Sequence, residues 1–183
     1  MTRILIIGGT GMLQPAIAHC VEQDYDVTLV ARDRKNLTTI AAAYPEHKIH
    51  IIAQDYHANA PFIAALQEAI KEQGAFDQVI CWMHSSGKES LIALLQLLAQ
   101  HNQQTIFYHV KGSASYNPEN VQQLDKNLTD ALDYREVILG FKIERGFSRW
   151  LTNAEISAGT IDAFATGRKR TVIGVTEPWA ARP

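Results

Sequence analysis

The chain has 183 residues, 46% of them hydrophobic and 20% charged, with a formal net charge of −2. That length suits a single domain, residues 1–183, with room for a sizeable core. The near-balanced charge provides no global attraction to nucleic acid or to an anionic membrane surface, and no apolar run is long enough to span a bilayer.

Arg3–Ile7 reads as a buried strand that feeds directly into the glycine-rich turn Gly8-Gly9-Thr10-Gly11. A helical stripe follows at Leu13, Ala16, Ile17, Cys20 and Val21, with Pro15 in the first turn, where a missing N–H costs least. Asp26–Ala31 is a β-branched strand, which completes a β-α-β unit of about thirty residues. Leu37, Ile40, Ala41 and Tyr44 mark a second helix, stopped by Pro45. Lys48–Ala53 is a third strand, and Pro61–Gln73 is a helix that Gly74 caps. Phe76–Trp82 is a fourth strand, ending in Met83-His84-Ser85-Ser86-Gly87.

The next helix, Lys88–His101, is apolar nearly all round, which one helix face against a sheet does not explain. Either a second layer of this chain or a partner subunit covers the remainder, and the partner subunit, giving a homo-oligomer, is the preferred expectation. Ser86-Gly87-Lys88-Glu89 reads as a capping box at its start. Thr105–Val110 is a fifth strand, Pro118–Leu132 a polar helix and Arg135–Ile143 a sixth strand. Thr152–Glu155 is a second capping box, opening a helix through about Ala165, and Thr171–Val175 is a seventh strand. The large aromatics of 146–151 and 177–179 fall in loops; Trp179 is read as packing, while Trp150 either packs or covers a pocket.

Alternating strands and helices imply an α/β domain: a three-layer α/β/α sandwich, Rossmann-like, around a mainly parallel sheet of about seven strands. Ligands of such sheets lie at the carboxyl ends of the strands, near the switch in strand order. The two cysteines, Cys20 and Cys81, lie in apolar segments without metal-ligand spacing and read as buried thiols, and no metal site is expected. The short run Arg168-Lys169-Arg170 reads as a charged turn and not as a nucleic-acid contact. No signal-like segment precedes the first strand, so a cytoplasmic location is expected.

Gly8-Gly9-Thr10-Gly11-Met12-Leu13-Gln14, set between a strand and a helix, resembles the G-x-x-G-x-x-G turn of extended and atypical short-chain dehydrogenases/reductases. The resemblance covers the whole chain in element order, with Gln14 replacing the third glycine. It implies a nicotinamide dinucleotide cofactor whose phosphates lie on the turn, with Gly8, Thr10, Gly11, Met12 and Leu13 as its contacts. Arg32, straight after the second strand, with Arg34 and Lys35 behind it, points to the 2′-phosphate of NADP(H) over NAD(H). Asp33 competes, and is read instead as the N-cap of the following helix. The resemblance also sets Asp55 against the adenine amino group and Tyr56 against the adenine ring; for Asp55 a plain polar strand end is the equal alternative.

The Tyr-x-x-x-Lys pair of the usual family members is missing from its place. Its literal match, Tyr44 to Lys48, precedes the third strand, on the wrong side of the fold. After the fifth strand, Tyr116 is followed four residues later by Asn120; Ser113 and Ser115 stand near the usual serine position, and Lys111 precedes them. Two functions remain. One is an atypical reductase, similar to the flavin and biliverdin-type reductases, passing hydride from the nicotinamide to a small acceptor. In it His84, Ser113 and Tyr116 are the catalytic candidates, and His84 serves as proton donor or as a contact of the cofactor ribose. The other is a non-catalytic NADP(H)-binding sensor, similar to the NmrA-like regulators.

Overall fold

In the computed structural model the described residues are 1–117 and 124–183. The first half alternates strand and helix without exception. Its elements are β1 (Arg3–Ile7), α1 (Gln14–Glu22), β2 (Asp26–Ala31), α2 (Arg34–Ala42), β3 (Ile49–Ala53), α3 (Asn59–Gln73) and β4 (Gln78–Trp82). A 3₁₀ turn at Ser85–Gly87 leads into α4 (Lys88–His101), followed by β5 (Ile106–Gly112) and a second 3₁₀ turn at Ser113–Tyr116. The remainder is α5 (Lys126–Asp130), β6 (Asp133–Leu139), β7 (Phe141–Glu144), β8 (Phe147–Trp150), α6 (Asn153–Thr166) and β9 (Arg170–Ile173).

Seven strands form one parallel sheet in the order β3-β2-β1-β4-β5-β6-β9. This is the expected Rossmann-like α/β sandwich. Every residue of β1 is buried, as a central strand covered on both faces requires. Alternate side chains serve opposite layers: Ile4, Ile6 and Ile80 pack with α1, α2 and α6, while Leu5, Ile7, Val79 and Cys81 pack with α3 and α4. The chain leaves β1 toward β2 and β3, then returns to lay β4 on the other side. The switch in direction therefore falls between β1 and β4, where a crevice opens beyond their carboxyl ends.

Several local expectations hold. Asp33 caps α2 by accepting from the N–H groups of Lys35 and Asn36, and Thr152 with Glu155 forms the capping box of α6. Cys20 and Cys81 are buried and free, and burial pushes the Cys20 thiol up to about 12. No helix among the described residues is long and apolar enough to cross a membrane.

Others are corrected. Leu91, Leu94, Leu95, Leu97 and Leu98 of α4 are buried within this chain, among residues of α3 and against Leu124 and Leu128. The breadth of apolar surface on that helix therefore needs no partner subunit. Its expected capping box does not form. Gly87 occupies the N-cap, the Ser86 hydroxyl meets His57, and Glu89 accepts from Asn59. Of the predicted helix at 118–132, only Lys126–Asp130 is helical among the described residues, and 118–123 lie outside them.

The predicted sixth strand breaks at Gly140, where a Cβ would lie 2.1 Å from the Val175 carbonyl oxygen. The chain then turns into a separate antiparallel hairpin, β7–β8, in a stretch expected to be strand end and loop. Arg145 and Gly146, both at positive φ, form its two-residue turn.

Candidate functional site

The glycine turn is shaped by close approach on one side and by open space on the other. Gly8 has φ +74°, and a Cβ there would sit 2.3 Å from the Trp82 carbonyl oxygen of the neighbouring strand. Gly9 is pressed against Ile6, whereas nothing lies within 4 Å of a Cβ built on Gly11. The Gly8 N–H still extends the β1–β2 ladder, donating to Val30. After it, none of the N–H groups of residues 9–13 has an acceptor among the described residues. Those donors stand at the N-terminus of α1 and share its positive dipole end. The Leu13 side chain is fully buried, so that residue anchors the turn while its N–H stays available. The loop is held from outside by Ser157, whose hydroxyl donates to the Met12 carbonyl at 2.8 Å. Gln14, in place of the third glycine, turns its side chain to solvent.

Such an arrangement fits a dinucleotide pyrophosphate: unpartnered backbone donors, a helix N-terminus, and space at Gly11 that a side chain would fill. The neighbouring strand ends carry the remaining cofactor candidates. Arg32, at the end of β2, is exposed and has no acidic partner within salt-bridge distance among the described residues. One oxygen of Asp33, Oδ1, accepts both capping bonds to α2.

At the end of β3, one carboxylate oxygen of Asp55 accepts from the His57 N–H at 3.0 Å and lies 2.9 Å from its Nδ1. These bonds hold the Asp55 carboxyl below its ordinary range. His57 Nε2 in turn lies 2.9 Å from the Ser86 hydroxyl, linking the β3 loop to the start of α4. Tyr56 faces inward from that link. Its ring lies against Gly87, where a Cβ would meet it at 2.7 Å, and its hydroxyl accepts from the His84 N–H at 3.3 Å. In this conformation it braces the loop against α4; the adenine-stacking role expected for it would require the ring to be free.

Beyond β4 and β5 lies a cavity of about 400 Å³ whose wall includes His84, Lys88, His109, Lys111 and Ser115. His84 was expected here. His109 was missed, because in sequence it is one polar residue within a β-strand run. It is buried, its Nδ1 lies 2.5 Å from the Tyr134 hydroxyl, and burial followed by the nearby Lys111 lowers its pKa to about 3. Lys111 is paired with Glu136 of β6.

Ser113 does not line this cavity. It is buried, and its hydroxyl accepts from Arg182 Nε at 2.9 Å, which ties the C-terminal segment to the end of β5. Ser115 lines the cavity instead, donating to the Gly112 carbonyl. Tyr116 ends the 3₁₀ turn after β5, and its side chain lies outside the described residues. Tyr44 and Lys48 sit before β3, at the amino edge of the sheet, away from the crevice. Trp150 and Trp179 flank the Arg182 guanidinium, at 5.0 and 5.1 Å. Among the described residues no cluster of three metal-binding side chains occurs.

No protein-family model and no curated protein matches the chain by sequence. Solved structures do match its fold. An NAD⁺-bound xylitol dehydrogenase superposes with a TM-score of 0.70 at 10% identity, covering 94% of this chain and 97% of its own. A short-chain type dehydrogenase/reductase from Mycobacterium marinum gives 0.68 at 15%, covering 94% and 93%. An alcohol dehydrogenase from Thermococcus sibiricus, complexed with 5-hydroxy-NADP, gives 0.67 at 14%, covering 96% of each chain. The fold is thus that of the short-chain dehydrogenases/reductases.

Proposed function

We propose that the protein binds NADP(H) across the carboxyl edge of its sheet and acts as an atypical reductase, passing hydride from the nicotinamide to a small acceptor. The observation that carries the cofactor is the run of unpartnered N–H groups at residues 9–13, beside the open space at Gly11. In this reading Gly8, Thr10, Gly11, Met12 and Leu13 hold the pyrophosphate. Asp55 reaches the adenine amino group through its second carboxylate oxygen, and Arg32 meets the 2′-phosphate. Capping of α2 supports NADP over NAD to the extent that it holds the competing Asp33 carboxylate to the helix through Oδ1. Two of the similar structures carry NAD⁺ and 5-hydroxy-NADP, which fits a nicotinamide dinucleotide here.

When bound, the cofactor would supply the hydride. The chain's part is to orient the acceptor and exclude water, with His84 within the cavity as its proton donor or as a contact of the ribose. Ser113 supports this reading poorly, since its hydroxyl is taken by Arg182, and Ser115 is the better-placed serine. A second reading, an NADP(H)-binding sensor without turnover, draws on two facts: Ser113 is occupied and Lys111 is bound to Glu136.

Titration with NADPH and NADH tests the cofactor. NADPH should bind more tightly, and Arg32→Ala should weaken NADPH about tenfold, or ~1.4 kcal/mol, while leaving NADH unchanged. Tighter NADH binding by the native chain would overturn the preference. Oxidation of NADPH in the presence of quinones, flavins and aldehydes then separates reductase from sensor.

A further inference from the structure

The cavity beyond β4 and β5 carries charge that the dinucleotide reading does not use. Lys88 lines it as the first residue of the 14-residue helix α4. A cation is unfavourable at that end of a helix, because it adds to the positive end of the dipole. The adjacent Glu89 is turned to Asn59, and Lys88 has no acidic partner among the described residues. Lys111 brings a second ammonium from the end of β5, paired from behind with Glu136 of β6, and no Asp or Glu side chain is part of the cavity wall.

The third group is His109. It is 7% exposed, and only its Nδ1 is engaged, by Tyr134. In the tautomer whose Nδ1 accepts from the Tyr134 hydroxyl, the ring proton sits on Nε2, a donor in the cavity wall without a partner among the described residues. One unpaired ammonium, a second shared with Glu136 and an unused imidazole donor in the cavity wall together favour an anion. The rest of the wall is apolar, with Met83, Leu91 and Leu124 contributing. The volume of about 400 Å³ suits a small molecule.

We propose that this cavity binds a small organic acid, its carboxylate held by Lys88, Lys111 and His109 and its apolar body lying against Met83, Leu91 and Leu124. The site extends the reductase reading, in which an acceptor would lie here, but it stands on the cavity alone.

Isothermal titration calorimetry with benzoate, benzamide and inorganic phosphate tests it, on the full chain with and without saturating NADP⁺. Benzoate should bind saturably in both conditions, at least tenfold tighter than its neutral isostere benzamide and tighter than phosphate. Lys88→Met should weaken benzoate at least tenfold, and Lys88→Arg should retain it; Lys88 is exposed, so both variants should fold. Equal binding of benzoate and benzamide, no benzoate binding, or benzoate binding indifferent to Lys88→Met would each overturn the proposal. Phosphate binding as tight as benzoate would make this an oxyanion site with no use for the apolar wall, and displacement of benzoate by NADP⁺ would make it part of the dinucleotide site; either result overturns it too. Failure of NADP⁺ to bind, with benzoate binding intact, would remove the dinucleotide reading and leave this one standing.

Discussion

The two ends of the parallel sheet treat their polar groups in opposite ways. At the amino end, Arg3 and Asp26 are both buried, and they are joined by His50 and Asp77. The Arg3 guanidinium bonds to Gln73 and to the carbonyls of Gly74 and Ala75, meets Asp26 at 3.6 Å and lies 4.8 Å from the centre of the Phe76 ring. Charge there is spent within the protein. At the carboxyl end the N–H groups of residues 9–13, the Lys88 ammonium and one nitrogen of His109 have no partner among the described residues. Both edges carry polar groups, so polarity alone does not mark a site. At the amino end Arg3 Nε, Asp26 Oδ1 and His50 Nε2 are buried without a hydrogen bond, but the charges of Arg3 and Asp26 offset each other. What separates the edges is whether the charged groups are already paired with opposite charge.

The largest effect should come from the end where charge is buried and paired. Asp26→Ala leaves the buried Arg3 without its carboxylate, and removing one partner of a buried pair costs about 3–5 kcal/mol. Urea denaturation should show that loss, while the affinity of the folded fraction for NADP(H) stays unchanged. An affinity loss of similar size would mean that the two edges are not energetically separate.

The mirror experiment is Gly11→Ala. Nothing lies within 4 Å of the added methyl, so the fold should lose no stability, and fewer unfolded conformations could raise it slightly. The methyl would occupy the phosphate position, and affinity for the dinucleotide should fall ten- to a hundredfold, about 1.4–2.8 kcal/mol. Gly8→Ala offers the contrast within the same turn. Its φ of +74° and the Trp82 carbonyl oxygen 2.3 Å from a new Cβ should destabilise the fold itself. If Gly11→Ala binds as the native chain does, the turn is not a phosphate cradle.

The same contrast explains what was readable from sequence. A backbone-built site is legible because its requirements fall on adjacent residues. Gly8 must reach positive φ, Gly11 must leave space, and a strand and a helix must flank them, all within one stretch. Asp33 as a cap and Thr152–Glu155 as a capping box are legible for the same reason. The cavity is assembled from side chains on β4, α4 and β5, with Tyr134 and Glu136 of β6 behind it. No local pattern joins His109 to Tyr134, and only the parallel register of β5 and β6 makes them neighbours. The breadth of α4 misled because periodicity shows how much apolar surface a helix has, but not how many elements cover it. The β7–β8 hairpin had one local signal, Arg145-Gly146 between Phe141–Glu144 and Phe147–Trp150. That signal was hidden because the apolar run of β6 continues across Gly140.

His109 yields the smallest effect and the finest probe of the comparison, because it is a buried imidazole in the cavity wall whose charge the fold refuses. Its neighbours are the Tyr134 hydroxyl, the Lys111 ammonium and, beyond that, the Glu136 carboxylate paired with Lys111. Its folded pKa of about 3 lies below the ordinary histidine value of 6.5, so between those values the unfolded chain holds more protons than the folded one. Stability therefore rises with pH through that window, and the residue makes no such demand above it. At pH 5.5 the unfolded chain should gain about 1.4 kcal/mol from protonating this one imidazole, a figure set by its ordinary pKa rather than by how far the folded one is depressed. His109→Gln keeps a hydrogen-bonding side chain and removes the titration. Whatever constant offset the substitution brings, the difference in unfolding free energy between pH 7.5 and pH 5.5 should shrink by that amount. An unchanged difference would mean that His109 takes up a proton in the folded chain as readily as in the unfolded one. The carboxyl edge would then hold a cation at this position, and His109 would not be the neutral donor it is taken to be here.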